Sequence, residues 1–108
     1  MQFGLKDQHV DKLRKVFAHY PNVSEVIIYG SRAKGTHKHT SDIDLVVKGE
    51  DLTLRYLNCI DRELDDLLLP WKIDLSLYRQ IDNQDLLAHI ERVGLVFYKR
   101  SEKTVSEK

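Results

Sequence analysis

Cysteine occurs once in this chain of 108 residues, at Cys59, and proline only twice. A lone cysteine excludes an intramolecular disulfide, and with it a stapled secreted scaffold or dithiol chemistry within the chain. Net charge is missing as well: 17 Lys and Arg against 17 Asp and Glu leave zero with His neutral. General nucleic-acid binding and attachment to an anionic membrane both draw on a basic excess, so both are disfavoured. No stretch approaches the roughly 18 consecutive apolar residues of a membrane helix, and no N-terminal segment couples basic residues to a long apolar run. The cytoplasm is the expected compartment. What is present is enough for one domain: 42% hydrophobic residues can fill a core while 31% charged residues solvate the surface.

Hydrophobic spacing divides the chain into alternating helices and strands. Val10, Leu13, Val16, Phe17 and Tyr20 recur at helical intervals and predict an amphipathic helix from Gln8 to His19, stopped by Pro21 and Asn22. Glu25 to Tyr29 is a short β-branched run ending at Gly30, and G-S-R-A-K-G follows as a helical turn between Gly30 and Gly35. A polar loop from Thr36 to Ser41 leads into Asp42–Lys48, a strand with Ile43, Leu45 and Val47 on one face and Asp42 and Asp44 on the other. Leu57, Ile60, Leu64 and Leu67 or Leu68 mark a helix between Asp51 and Leu69, ended by Pro70. Trp71–Tyr78 alternates strictly and predicts a strand. The last helix runs from an Asp82 or Asn83 cap to Val93, with Gly94 at a left-handed C-cap, and Leu95–Tyr98 is a short strand. The fold class is therefore α/β (α+β), a small mixed sheet with helices on one side. One domain spans residues 1–98, and the charged residues 99–108 are expected to form a disordered tail.

Three features carry chemistry. Asp42 and Asp44 leave one strand face about 6 to 7 Å apart at the Cα level, so they either splay into water or share a hard cation such as Mg²⁺ or Mn²⁺. Asp74 projects from its own strand in the same sense relative to the apolar face; if the two strands are neighbours, three carboxylates meet on one surface. Gly30 and Ser31 sit where a strand turns into a helical segment, a place where backbone N–H groups and a hydroxyl can face a phosphate. Each feature alone has a bland reading, as a solvated strand face or a capped turn. In combination they set a phosphate site opposite a metal site.

The order G-S-R-A-K-G, S-D-I-D-L, K-I-D-L resembles the DNA polymerase β nucleotidyltransferase superfamily, and most closely its minimal nucleotidyltransferase (MNT) domains, including the antitoxins of HEPN/MNT toxin–antitoxin pairs. The resemblance covers the chain from the first helix to Tyr98 and implies the nucleotidyltransferase palm. It implies that Gly30 and Ser31 hold the phosphates of a nucleoside triphosphate, and that Asp42, Asp44 and Asp74 bind two Mg²⁺ ions, Asp74 nearest the attacking hydroxyl. It implies ATP as donor and a tyrosine of a HEPN ribonuclease toxin as acceptor. Arg32 and Lys34 lie beside the phosphate turn, where Arg32 is a candidate contact to the triphosphate and solvation is the bland alternative. His37 and His39 read as solvated loop residues, Trp71 as core or interface, and Cys59 as a small buried hydrophobe. Two other functions stay open: a non-catalytic antitoxin that acts by covering its toxin, and a small-molecule nucleotidyltransferase working as an oligomer. The oligomeric state stays open between homo- and hetero-oligomer.

Overall fold

The computed structural model describes residues 2–38 and 40–100. Along them run α1 (Asp7–Ala18), β1 (Val23–Tyr29), α2 (Gly30–Lys34), β2 (Ile43–Gly49), α3 (Leu54–Asp66), β3 (Ile73–Leu77), α4 (Gln84–Val93) and β4 (Leu95–Lys99), with a 3-10 turn at Tyr78–Gln80. The strands form one sheet in the order β3-β2-β1-β4. β1 is antiparallel to both β2 and β4, whereas β2 and β3 are parallel because α3 crosses over between them. The sheet is mixed, as the sequence leads one to expect.

Period-two alternation sends successive residues of each central strand to opposite faces. Val26 and Ile28 of β1 with Leu45 and Val47 of β2 join Val10, Leu13, Val16 and Phe17 of α1 and Ile60 and Leu64 of α3 in the main core. Ile27, Tyr29 and Val46 point the other way and pack against Ile90 of α4. The helices therefore lie on both faces: α1 and α3 follow the one-sided expectation, and α4 does not. The physical reason is visible in the runs V-I-I-Y and L-V-V, which are continuously apolar, as strands covered on both faces are.

Local chemistry sets several ends. Thr53 caps α3 by accepting from the Tyr56 N–H at 3.3 Å, so that helix starts at Leu54 rather than Asp51. Asn83 caps α4 through Oδ1 and the Leu86 N–H at 3.1 Å, as its position suggests. Gly94 is extended, with φ −65°, instead of left-handed; a Cβ there would strike the Ile90 carbonyl. Cys59 is exposed, since the buried stripe of α3 runs through Ile60 and Leu64. Lys99 pairs with Glu25, and the Arg100 N–H bonds Ser24 O at 2.9 Å, so both belong to the fold and not to the expected tail. The Arg100 guanidinium fastens this edge to the carbonyls of Val23 and Tyr20, at 3.1 and 2.9 Å. Residues 101–108 of that tail lie outside the described residues. No described helix is long and apolar enough to cross a membrane.

One polar link ties α1 to α3. Glu63 accepts from the Tyr20 hydroxyl at 2.6 Å and meets His19 Nδ1 at 2.9 Å. Burial and then the Glu63 carboxylate push the Tyr20 phenol up to about 12, while the hydrogen bonds from Tyr20 and His19 pull Glu63 below its usual range. A depressed carboxylate contributes stability above its unfolded value and loses it as pH falls through the folded one. Glu63→Gln is accordingly expected to cost at most about 1 kcal/mol at pH 7 and progressively less in acid. Urea midpoints of the two proteins across that range test it, and a pH-independent difference would contradict the linkage.

Candidate active site

The site begins at the C-terminal end of β1. Antiparallel register sets Tyr29 opposite Asp44, and parallel register sets Asp44 opposite Asp74, so the three residues form one row across three strands. Paired residues project to the same face, here the face that carries α4. Immediately after Tyr29 the chain turns at Gly30, with φ +75°, into α2. A Cβ on Gly30 would overlap Asp44 Oδ2 and come within 3.3 Å of Asp44 Cγ. The glycine therefore does two things: it takes up a left-handed backbone and lets a carboxylate rest against its Cα. Ser31, half-buried, is the next residue, and its carbonyl accepts from the Thr36 N–H at 3.0 Å.

Like charges crowd this row. Burial raises the Asp44 carboxyl above the usual carboxylate range, Asp74 and then Asp42 add to the shift, and His89 of α4 opposes it. The Tyr29 phenol is raised by burial and by Asp44 and Asp74, against a hydrogen bond with Ser76. Asp61 on α3 is raised by burial and then by Asp65 and Asp74. The structure thus brings Gly30, Asp44 and Asp74 together and keeps Asp42, exposed just before β2, within electrostatic reach.

Arg32 is placed elsewhere. It is 2% exposed, against the reading of a solvated or phosphate-facing residue. Its Nε and Nη2 donate to Ser41 O at 3.2 and 3.0 Å, its Nη1 donates to Phe3 O at 2.8 Å, and its guanidinium lies 5.5 Å from the Trp71 ring centre. Donors spent on backbone carbonyls are not available to a triphosphate. Lys34 remains exposed. The His37 ring packs on Gly4 with Nδ1 buried and without a hydrogen-bond partner among the described residues, so it is not a solvated loop residue. His39 lies outside the described residues. Trp71 packs against the core and holds His9 edge-on at 5.2 Å.

Sequence reasoning missed Tyr29, Ser76 and His89. Tyr29 reads as one more apolar residue of a buried strand, and His89 sits inside an amphipathic helix 45 positions after Asp44 (89 − 44). Only the level register and the docking of α4, with the His89 and Tyr29 rings 6.2 Å apart, bring them to the carboxylates.

No group of three His, Cys, Asp or Glu side chains stands ready to enclose a metal ion among the described residues. Carboxylates in one row repel one another. In donor chemistry the set still fits a hard divalent cation: the row offers carboxylate oxygens, and their mutual repulsion on Asp44 is what a bound cation would relieve.

The family model described as "Polymerase beta, Nucleotidyltransferase" matches residues 11–103. The chain belongs to that nucleotidyltransferase family. Among curated proteins, none matches the sequence. Solved structures share its fold: a toxin–antitoxin with AMP-PNP is 22% identical with a TM-score of 0.67, over 92% of this chain and 77% of that one. A tri-AMPylated HEPN toxin of Shewanella oneidensis in complex with MNT antitoxin gives 17% identity and a TM-score of 0.66, over 94% and 78%. A MntA–HepT toxin–antitoxin gives 18% and 0.65, over 91% and 76%.

Proposed function

We propose that this protein transfers AMP from ATP to a hydroxyl of a partner protein of the HEPN toxin type, a tyrosine by resemblance, and so acts as an antitoxin. The observation that carries the reading is the level pairing of Asp44 with Asp74, with the Asp44 carboxylate resting against Gly30. It sets a carboxylate pair directly beside the Gly30–Ser31 turn, as transfer at a triphosphate requires. The fold shared with structures that hold AMP-PNP or an AMPylated HEPN toxin supports the choice of donor and partner.

Gly30 and Ser31 would bind the phosphates, and Asp42, Asp44 and Asp74 would hold Mg²⁺. Bound Mg²⁺ would neutralise phosphate charge and favour the ionised form of the attacking hydroxyl. Asp44, half-buried and fixed by Gly30, orients the donor end of the row. Asp74 is exposed on the sheet-edge strand β3, where an acceptor from another protein can approach, and its carboxylate oxygen takes the acceptor proton. The acceptor oxygen bonds to the α-phosphorus, the bond to the β-phosphate oxygen breaks, and pyrophosphate leaves.

The test is incubation with Mg²⁺ and a lysate of the source cells, using ATP labelled at the α-phosphate or, in parallel, at the γ-phosphate. Label from the α-position alone on one protein band is expected. Label on a small molecule would favour the small-molecule enzyme; no label, with a partner still captured, would favour the non-catalytic binder.

A further inference from the structure

We infer that Arg32 is a positioning residue, which fixes the Gly30–Ser31 turn against the segment that leads into Asp42 and against the N-terminal turn. The inference rests on the proposed reading only for its catalytic consequence. Arg32 lies in α2, one residue after Ser31, and is buried, with 2% of its surface exposed. Burial lowers the affinity of its guanidinium for a proton, so the charge must be held by good hydrogen bonds. Those bonds run to two separate stretches of chain. Nε and Nη2 grip Ser41 O, directly before Asp42, and Nη1 grips Phe3 O in the turn closed by the Gln2 and Leu5 backbone groups. The face of the guanidinium covers Trp71, two residues before β3 begins.

A planar fork is suited to this task because its donors leave in fixed directions and reach two carbonyls at once. Lysine carries the same charge on a single nitrogen at the end of a flexible stem, so it cannot reproduce the bridge. The segments joined are the two whose separation decides whether the phosphate turn and the first carboxylate of the pair face each other. The N-terminal turn is held from a second side by His37, whose ring lies on Gly4. Phe3 and Gly4 both have positive φ, 57° and 75°, a conformation that needs outside contacts to persist in Phe3.

Arg100 supplies a matched control. It too grips backbone carbonyls, of Val23 and Tyr20, yet it does so at the β4 edge, away from the row. Arg32→Lys and Arg100→Lys are to be compared with wild type in two measurements. The first is amide exchange at Thr36, Ser41 and Ile43, whose N–H groups bond Ser31 O, Lys38 O and Lys72 O. The second is calorimetric binding of Mg²⁺ with AMP-PNP. Both variants are expected to lose a similar few degrees in melting temperature. Only Arg32→Lys should speed exchange at the three amides, at least tenfold, and weaken AMP-PNP binding about tenfold. Unchanged exchange in Arg32→Lys, or an equal effect of Arg100→Lys on those amides, would overturn the assignment. Faster exchange with AMP-PNP binding equal to wild type would overturn its link to the site. A wild type that binds no AMP-PNP would count against the proposed function instead, and the exchange data would still decide whether Arg32 fixes the turn.

Discussion

Asp44→Asn is expected to slow nucleotidyl transfer about a hundred- to a thousandfold, the loss seen when one group aimed at transition-state charge is removed. The same change should make the protein more stable. Asp44 is half-buried, lies level with Asp74, feels Asp42, and has its carboxyl raised by burial and by both neighbours. A raised carboxyl favours the protonated fold, so the ionised form costs stability at neutral pH and the cost fades as pH falls through the raised value. Asparagine keeps the shape and removes the charge. A melting temperature higher by about 2–4 °C at pH 7 corresponds to roughly 0.5 kcal/mol in a domain of this size. The difference should narrow in acid. Label transfer from α-labelled ATP and calorimetry from pH 4 to 8 measure the two effects; undiminished transfer would remove Asp44 from the chemistry.

Gly30→Ala should harm both fold and site. A left-handed backbone costs a non-glycine residue roughly 1–2 kcal/mol, and a group forced into filled space adds roughly 1–3 kcal/mol. At Gly30 both apply, since φ is +75° and the added Cβ overlaps Asp44 Oδ2. A loss of about 3 kcal/mol is expected from these two costs. Whatever strain Asp44 relieves by rotating away, it does so at the expense of its place beside the turn, and transfer should fall with it. Gly35→Ala is the comparison: φ is +83°, yet a Cβ there meets nothing within 4 Å. It should cost about 1 kcal/mol and leave transfer intact. Equal losses at the two glycines would mean that backbone strain, and not contact with Asp44, sets the role of Gly30.

Both predictions turn on contacts between residues far apart in sequence, and the sequence reading carried them unequally. Period two identified the apolar faces of β2 and β3, and so the common projection of Asp44 and Asp74. That argument needs only the pleat. Helical spacing found the buried stripes of α1 and α3, and Asn83 marked the start of α4 through its side-chain acceptor, whereas α3 stops at Asp66, short of Pro70. Motif order connected the chain to its family, which the match over residues 11–103 bears out.

What the sequence by itself determined is thus what local chemistry determines: the periodicity of each element, the Asn83 cap of α4, and the presence of a glycine where the chain must turn beside a carboxylate. Tertiary structure alone decided the rest. Parallel pairing of β2 with β3 made Asp44 and Asp74 level, because register follows from how α3 spans the crossover and not from either strand. Packing of α4 on the second face brought His89 to the row, and the fold of the N-terminal turn drew Arg32 inward. An arginine on a short helix looks solvated until distant carbonyls converge on it, and that convergence depends on residues 29 positions before it and 9 after.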